Sequence, residues 1–256
     1  MDAHPALRFY PARVPVPFVL LQMRPEEDAR ADEAASVRRA SGLGDRLVTR
    51  NADLDELPAD LADRHAGVII GGSPYSVSDP EASKREPQRL AERQLAALAE
   101  RALERDLAVF FTCYGIGVLT QVLGGSVDRT HPEPVSAAEN RLTAAGRADP
   151  LASVLPERFT ALTGHKESAP VPPPGAVLLA TNDASPVQLY RAGSVVASQF
   201  HPEPSTDDFA RRAAVYQRHG YFPAGEYAAV AASLAAATVT EPERLLRRFV
   251  ELADAR

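Results

Sequence analysis

The sequence contains one cysteine, Cys113, and its surroundings suit a nucleophile. An apolar run of strand character, 107–112 (LAVFFT), leads straight into Cys113-Tyr114-Gly115-Ile116-Gly117 and then into an apolar, helix-like stretch ending near Leu123. A thiol on a sharp strand-to-helix turn lies at the carboxyl edge of the sheet, where open α/β folds bind their ligands. The helix N-terminus favours the thiolate, and Gly115 leaves room for the turn. The arrangement is that of a nucleophile elbow, although the G-x-S-x-G spacing is not matched. The plainer alternative is a small buried hydrophobe, the usual fate of a lone cysteine.

A thiolate nucleophile needs a base and an orienting group. His201 follows the apolar run 195–200 in the string Gln199-Phe200-His201-Pro202-Glu203. Residues two apart in extended chain point the same way, so His201 and Glu203 project together while Pro202 stiffens the backbone between them. A carboxylate beside an imidazole fixes its tautomer and favours the imidazolium that pairs with a thiolate. The string is duplicated, because His131-Pro132-Glu133-Pro134 repeats His201-Pro202-Glu203-Pro204. Spacing does not separate the two copies, but context does. Strand-like residues lead into His201, whereas Asp128-Arg129-Thr130 leads into His131 and marks a surface loop.

The elements that must carry these groups read as an α/β chain. Strands are expected at 17–23, 46–49, 66–70 and 107–112, with helices from about Pro25 to 39 and from Pro87 to 105 between them. Such short apolar runs suit buried parallel strands. From Gly124 onward the pieces shorten (126–129, 159–162, 176–181, 187–191, 195–200), with a hairpin turn at Ala192-Gly193. These read as antiparallel additions to a parallel sheet. A helix is expected over 206–218, and a further one near the C-terminus, with Thr240 and Glu243 spaced as a capping box around Pro242. The Pro-rich stretches 11–17 and 170–174 read as surface connections. No internal repeat or domain boundary is visible, so the expectation is one domain over 1–256, with a core at about 17–218 and a helical extension at about 221–256.

Composition narrows the function classes. With 28 Lys and Arg against 34 Asp and Glu, no Trp and no nucleic-acid motif, neither nucleic acid nor an anionic membrane is an expected partner. No apolar stretch reaches the ~20 residues of a spanning helix, and the charged, Pro-containing N-terminal region is a poor signal peptide. The expected location is cytoplasmic. The six histidines are dispersed without ligand spacing, and no G-x-x-x-x-G-K-[ST] phosphate loop is present. No metal and no cofactor are therefore expected.

Taken in order, Gly71-Gly72-Ser73-Pro74, Cys113-Tyr114-Gly115 and Gln199-Phe200-His201-Pro202-Glu203 resemble a class I, triad-type glutamine amidotransferase, most of all the glutaminase domain of GMP synthetase. The resemblance covers roughly 17–218. It implies a flavodoxin-like open sheet, mostly parallel, with helices on both faces. It also implies that Cys113 attacks the side-chain amide of glutamine, that His201 moves protons and that Glu203 orients His201. The oxyanion would be held by backbone amides at Tyr114 and in the Gly72-Ser73 turn, where each fixed donor is worth ~3 kcal/mol. Thr163-Gly164-His165-Lys166-Glu167 stands in place of the family's Ser-His-Gly-Asp stretch, so His165 is expected beside the substrate, with Gln188 or Gln199 as possible amide contacts. Two positions depart from the G-x-C-x-G-x-Q elbow. Phe111 replaces the first Gly, and Gly117 replaces the Gln that helps bind glutamine.

Three readings follow. The first is a stand-alone amidotransferase-like enzyme that hydrolyses glutamine and passes ammonia to a separate synthetase subunit. The second is a γ-glutamyl hydrolase or peptidase on the same fold, with the altered Gly117 position admitting a different γ-glutamyl compound. The third is a binding module that keeps the fold without the reaction.

Overall fold

The apolar runs of the first half become short strands with no face left to water. A computed structural model describes residues 16–223 and 225–256. Strands β1 (Phe18–Gln22), β3 (Gly67–Ile70) and β4 (Val109–Thr112) are buried at every residue, and β2 (Leu47–Asn51) forms a partly exposed edge. The second half adds β5 (Glu133–Leu142), β6 (Arg158–His165), β7 (Val177–Thr181), β8 (Leu189–Ala192) and β9 (Val195–Ser198). These nine described strands form one sheet in the order β2-β1-β3-β4-β9-β8-β7-β5-β6. The first five are parallel and the last four pair antiparallel. The parallel part follows the flavodoxin-like order, in which ligands bind beyond the carboxyl ends of the strands.

Helices cover both faces of that sheet. Strand alternation sends Phe18, Leu20, Ile69 and Phe110 to one face, beside Val37 of α1 (Glu27–Ser41) and Leu245, Leu246 and Phe249 of α7 (Glu243–Asp254). The intervening Val19, Leu21, Val68, Ile70, Val109 and Phe111 meet Ala91, Leu95 and Leu98 of α2 (Glu86–Arg105) and Ile116 and Leu119 of α3 (Tyr114–Val122). The remaining described α-helices are α4 (Ala144–Ala148), α5 (Thr206–Val215) and α6 (Tyr227–Ala236). None of the helices is long and apolar enough to cross a membrane.

Several expectations need correction. The piece expected at 126–129 makes only an isolated bridge, Asp128 to Ser168. The longest strand, β5, was not expected; its sequence starts with Glu133-Pro134, alternates weakly and carries a register shift between Glu133 and Ser136. The capping box at Thr240 and Glu243 does not form, because Thr240 Oγ1 donates to Glu241 Oε1 at 2.9 Å and Pro242 occupies the cap position. A capping box does open α5, where Asp208 N–H donates to Ser205 Oγ at 3.1 Å and Ser205 N–H to Asp208 Oδ2 at 3.0 Å. The hairpin at Ala192-Gly193 is present, with Gly193 at a φ of 59°. The 11–17 connection lies mostly outside the described residues.

The apolar stripe of α7 docks on its own sheet. The Phe249 ring stands edge-on to Phe110 at 5.6 Å and to Phe18 at 6.3 Å, and it is 3% exposed. Phe249→Ala is therefore expected to lower the unfolding free energy by about 3–5 kcal/mol. Urea denaturation would check this, and a loss under ~1 kcal/mol would mean that α7 is not part of the cooperative core.

Candidate active site

Cys113 sits where β4 stops and α3 starts. Its N–H donates to Ser198 O at 2.8 Å, so the parallel ladder with β9 runs up to the thiol-bearing residue itself. The chain then turns at once, leaving Cys113 at φ 49° and ψ −102°, in a region that few non-glycine residues occupy. Such strain is tolerated where surrounding packing enforces it. Phe111 is fully buried, and a Cβ on Gly115 would lie 2.9 Å from its ring. Gly115 is thus the small residue that lets a Phe stand before the elbow, so the departure at Phe111 leaves the turn intact.

His201 comes from the end of β9. Its N–H donates to Leu162 O at 2.8 Å, and its Nδ1 lies 2.9 Å from Glu203 Oε1. Nε2 is then the ring nitrogen left on the Cys113 side, and Cys113 and His201 line one cavity. Burial opposes a charge on this ring. The Glu203 carboxylate and the Cys113 sulfur outweigh that and raise its pKa to about 9. Burial likewise pushes the Glu203 carboxyl up, but His201 and Arg212 together hold it well below the usual carboxylate range.

Arg212 is a component that sequence reading missed. It is 4% exposed, and its Nη1 donates to Glu203 Oε1 at 2.7 Å. A signal was available: Arg212 interrupts the buried stripe Phe209, Ala213 and Tyr216 on α5, and a charge on such a stripe needs a partner. The same signal marks Glu33, between Ala29 and Val37 on the buried face of α1. Glu33 accepts from Arg24 Nε at 2.7 Å and from Gly72 N–H at 3.1 Å.

That last bond corrects one expected role. Gly72 spends its amide on Glu33, which leaves Ser73 and Tyr114, the first residue of α3, as the candidate backbone donors beside Cys113. Gly72 matters by closeness instead. A Cβ there would lie 2.7 Å from both His201 Cε1 and Arg24 Nη2.

Two cavities meet at Cys113, Ser73 and Tyr221. The first, a small one, is lined also by Tyr114, Gly117, Lys166, Glu167 and Gln199. Gln199 is 2% exposed and its Oε1 has no partner among the described residues. The second, also small, contains His201 and lies against α5. Gly117 does not open extra space, because Val77 fills it: a Cβ on Gly117 would lie 2.8 Å from Val77 Cγ2. Val77 is held by Glu167, whose Oε1 accepts its N–H at 2.6 Å.

His165 borders the first cavity but does not offer its ring to it. Nδ1 is 3.0 Å from Glu167 O and Nε2 is 2.8 Å from Glu133 Oε2. Glu133, from the duplicated string, also accepts from Gln188 Nε2 at 2.5 Å and Asn182 Nδ2 at 2.8 Å. Gln188 is therefore tied into the sheet rather than offered as an amide contact. His131 lines neither cavity at Cys113; its Nδ1 lies 3.1 Å from Ala184 O. Among the described residues no cluster of His, Cys, Asp or Glu could hold a metal ion.

The family model described as glutamine amidotransferase class-I matches residues 36–222. The chain is 28% identical over 159 residues to a glutamine-hydrolysing GMP synthase of Thermus thermophilus, covering 61% of this chain and 28% of that protein. It is 32% identical over 137 residues to the GMP synthase of Thermomicrobium roseum, covering 54% of this chain and 23% of the relative. The chain thus spans about a quarter of the length of the curated relatives it matches. Two solved structures share the fold. A glutamine amidotransferase of Thermotoga maritima has a TM-score of 0.65 at 18% identity, covering 92% of this chain and 98% of the other. One from Methylobacillus flagellatus has a TM-score of 0.66 at 15% identity, covering 93% and 95%.

The buried charges set a pH dependence. Because the folded pKa of His201 lies above the ordinary value of about 6.5, its contribution to stability is complete below pH 6.5. That contribution is lost as the pH rises through about 9. An NMR titration of the His201 ring should therefore show a midpoint near 9 in the wild type and a lower one in Glu203→Gln. Arg212→Met is expected to cost about 3–5 kcal/mol, since it leaves the Glu203 charge without its guanidinium. An unchanged melting curve for Arg212→Met would show that Glu203 does not need it.

Proposed function

Since the chain belongs to the class-I glutamine amidotransferase family, we propose that it hydrolyses the side-chain amide of glutamine at Cys113 and releases ammonia for a separate acceptor. The observation that carries this reading is that Cys113 shares one cavity with a buried His201 whose Nδ1 is held by Glu203, leaving Nε2 for the thiol. The imidazolium stabilises the thiolate, which attacks the amide carbonyl carbon. The developing oxyanion is met by the amides of Ser73 and Tyr114. His201 gives its proton to the departing nitrogen, ammonia leaves, and a γ-glutamyl thioester remains. Water, deprotonated by His201, then displaces the thiolate and yields glutamate.

In this reading the amino-acid head of the substrate lies on the side of Cys113 away from His201. There the unpartnered Gln199 Oε1 and the Glu167 carboxylate suit the α-ammonium, and the half-buried Lys166 suits the α-carboxylate. The family's Gln is absent, so these groups replace it in holding the substrate. The matched relatives are GMP synthases several times longer than the aligned region, which supports an acceptor-activating synthetase as the separate partner.

Incubation with a glutamine-mimicking electrophile, read by intact-protein mass, tests the nucleophile directly. One adduct is expected in the wild type, suppressed by excess glutamine and absent in Cys113→Ala. In a glutaminase assay, Cys113→Ala and His201→Ala should each lower kcat by at least ~10⁴-fold. Glu203→Gln should retain more activity than His201→Ala, and His131→Ala should match the wild type. An adduct that survives in Cys113→Ala, or glutaminase activity in that variant, would sink the reading.

A further inference from the structure

The space around Cys113 is nearly shut. The two cavities beside it offer about 20 and 30 Å³ to a water-sized body, room for little more than a water apiece. Cys113 itself is 7% exposed. Glutamine is several times larger than a water, so it reaches the thiol only if a wall of these cavities moves.

The walls differ in how firmly they are held. The loop after β3 is tied to Glu33 through the Gly72 amide at 3.1 Å and to Glu167 through the Val77 amide at 2.6 Å. Tyr221, in the irregular chain after α5, is held more loosely. Its hydroxyl donates to Ser73 O at 3.3 Å, and its carbonyl accepts from Val135 N–H at 3.3 Å, both beyond the usual range of such bonds. Gly220, just before it, lies at a φ of 80°, and a Cβ there would meet nothing nearer than Lys166 Cδ at 3.9 Å. The backbone beside Tyr221 is therefore neither packed nor bound to one conformation.

Position singles out the same residue. A third, open groove lies outside the two cavities, between the 129–134 and 220–223 stretches. Among the residues that line these three spaces, Tyr221 alone belongs to all of them. It is half-buried, with Lys166 Nζ 5.2 Å from the centre of its ring. Tyr221 is thus the wall that both cavities share with the groove, and the groove supplies the room that a displaced ring needs.

Resting on the glutamine-hydrolysis reading above, we propose that Tyr221 is a gate whose outward swing joins both cavities to the groove and admits glutamine to Cys113. In the arrangement described, the ring shuts the site and shields the thiol.

Alkylation by iodoacetamide reads the gate without requiring turnover, because Cys113 is the only thiol in the chain. Rates come from intact-protein mass, compared at the pH plateau of each variant. Reactivity scales with the open fraction, so Tyr221→Ala should be alkylated at least ~10-fold faster than the wild type, and Tyr221→Phe within ~3-fold of it. Tyr221→Phe keeps the ring and loses only the bond to Ser73 O. Gly220→Ala penalises the backbone at positive φ and should also be alkylated faster, which keeps the test open if Tyr221→Ala does not fold. A wild-type rate in a folded Tyr221→Ala would overturn the gate. Equal acceleration in Tyr221→Phe would overturn it too, by assigning the shielding to the Ser73 bond. Glutamine turnover beside unchanged alkylation in the variants would remove the gate and leave the glutaminase reading standing. Faster alkylation of Tyr221→Ala beside a wild type that turns over no glutamine would uphold the gate and overturn that reading.

Discussion

Four buried glutamates hold the site together, and each does so because a carboxylate removed from water must be repaid with donors. Glu33, Glu133, Glu167 and Glu203 are 0%, 4%, 9% and 3% exposed. Burying an isolated carboxylate costs several kcal/mol even after relaxation, so each is viable only where several donors converge. Glu33 gathers Arg24, Gln22 and the Gly72 amide, which joins α1 to the loops after β1 and β3. Glu203 gathers His201 and Arg212 and joins the loop after β9 to α5. Glu167 takes the amides of Val77 and Ser78 and the Ser78 hydroxyl. Glu133 ties β5 to His165, Asn182 and Gln188.

The consequence is that the loops at the carboxyl edge are not free to move separately. Backbone strain at Cys113 persists because β4 is locked to β9 up to Ser198 and α3 is packed through Gly115 and Phe111. The ring of His201 is fixed on three sides, by Glu203, by Phe209 at 5.4 Å and by the bare backbone of Gly72. Under the proposed reaction, a thiol and an imidazole held this way are preorganised, as covalent catalysis requires.

The part of this arrangement visible in the sequence is the part encoded locally. Buried strands such as β1 and β4 announce themselves as apolar runs, and Cys113, His201 and Glu203 stand directly at strand ends. The supporting glutamates do not. Glu133 and Glu167 look like ordinary surface charges until long-range pairing brings them inward, with separations of 32 residues from Glu133 to His165 and 89 from Glu167 to Ser78. Arg212 and Glu33 were legible only as charges on otherwise buried helical stripes. Strand β5 was not legible because its register shift and the uniformly half-buried run at 135–138 blur the period of two.

The duplicated His-Pro-Glu-Pro string shows how far tertiary context overrides a local motif. In both copies the glutamate is buried and bound to an imidazole, yet the imidazoles differ. Glu203 takes the His two residues before it, while Glu133 takes His165 from the neighbouring strand β6. The cause is what precedes each string. Buried strand β9 aims His201 into the sheet edge, whereas His131 lies in a loop and reaches only a backbone carbonyl. The second imidazole–carboxylate pair thus becomes scaffolding for Glu167. Glu167 in turn seats Val77 where a side chain at position 117 would otherwise stand. Loss of the family's Gln at Gly117 is therefore a refilled site rather than an opened one.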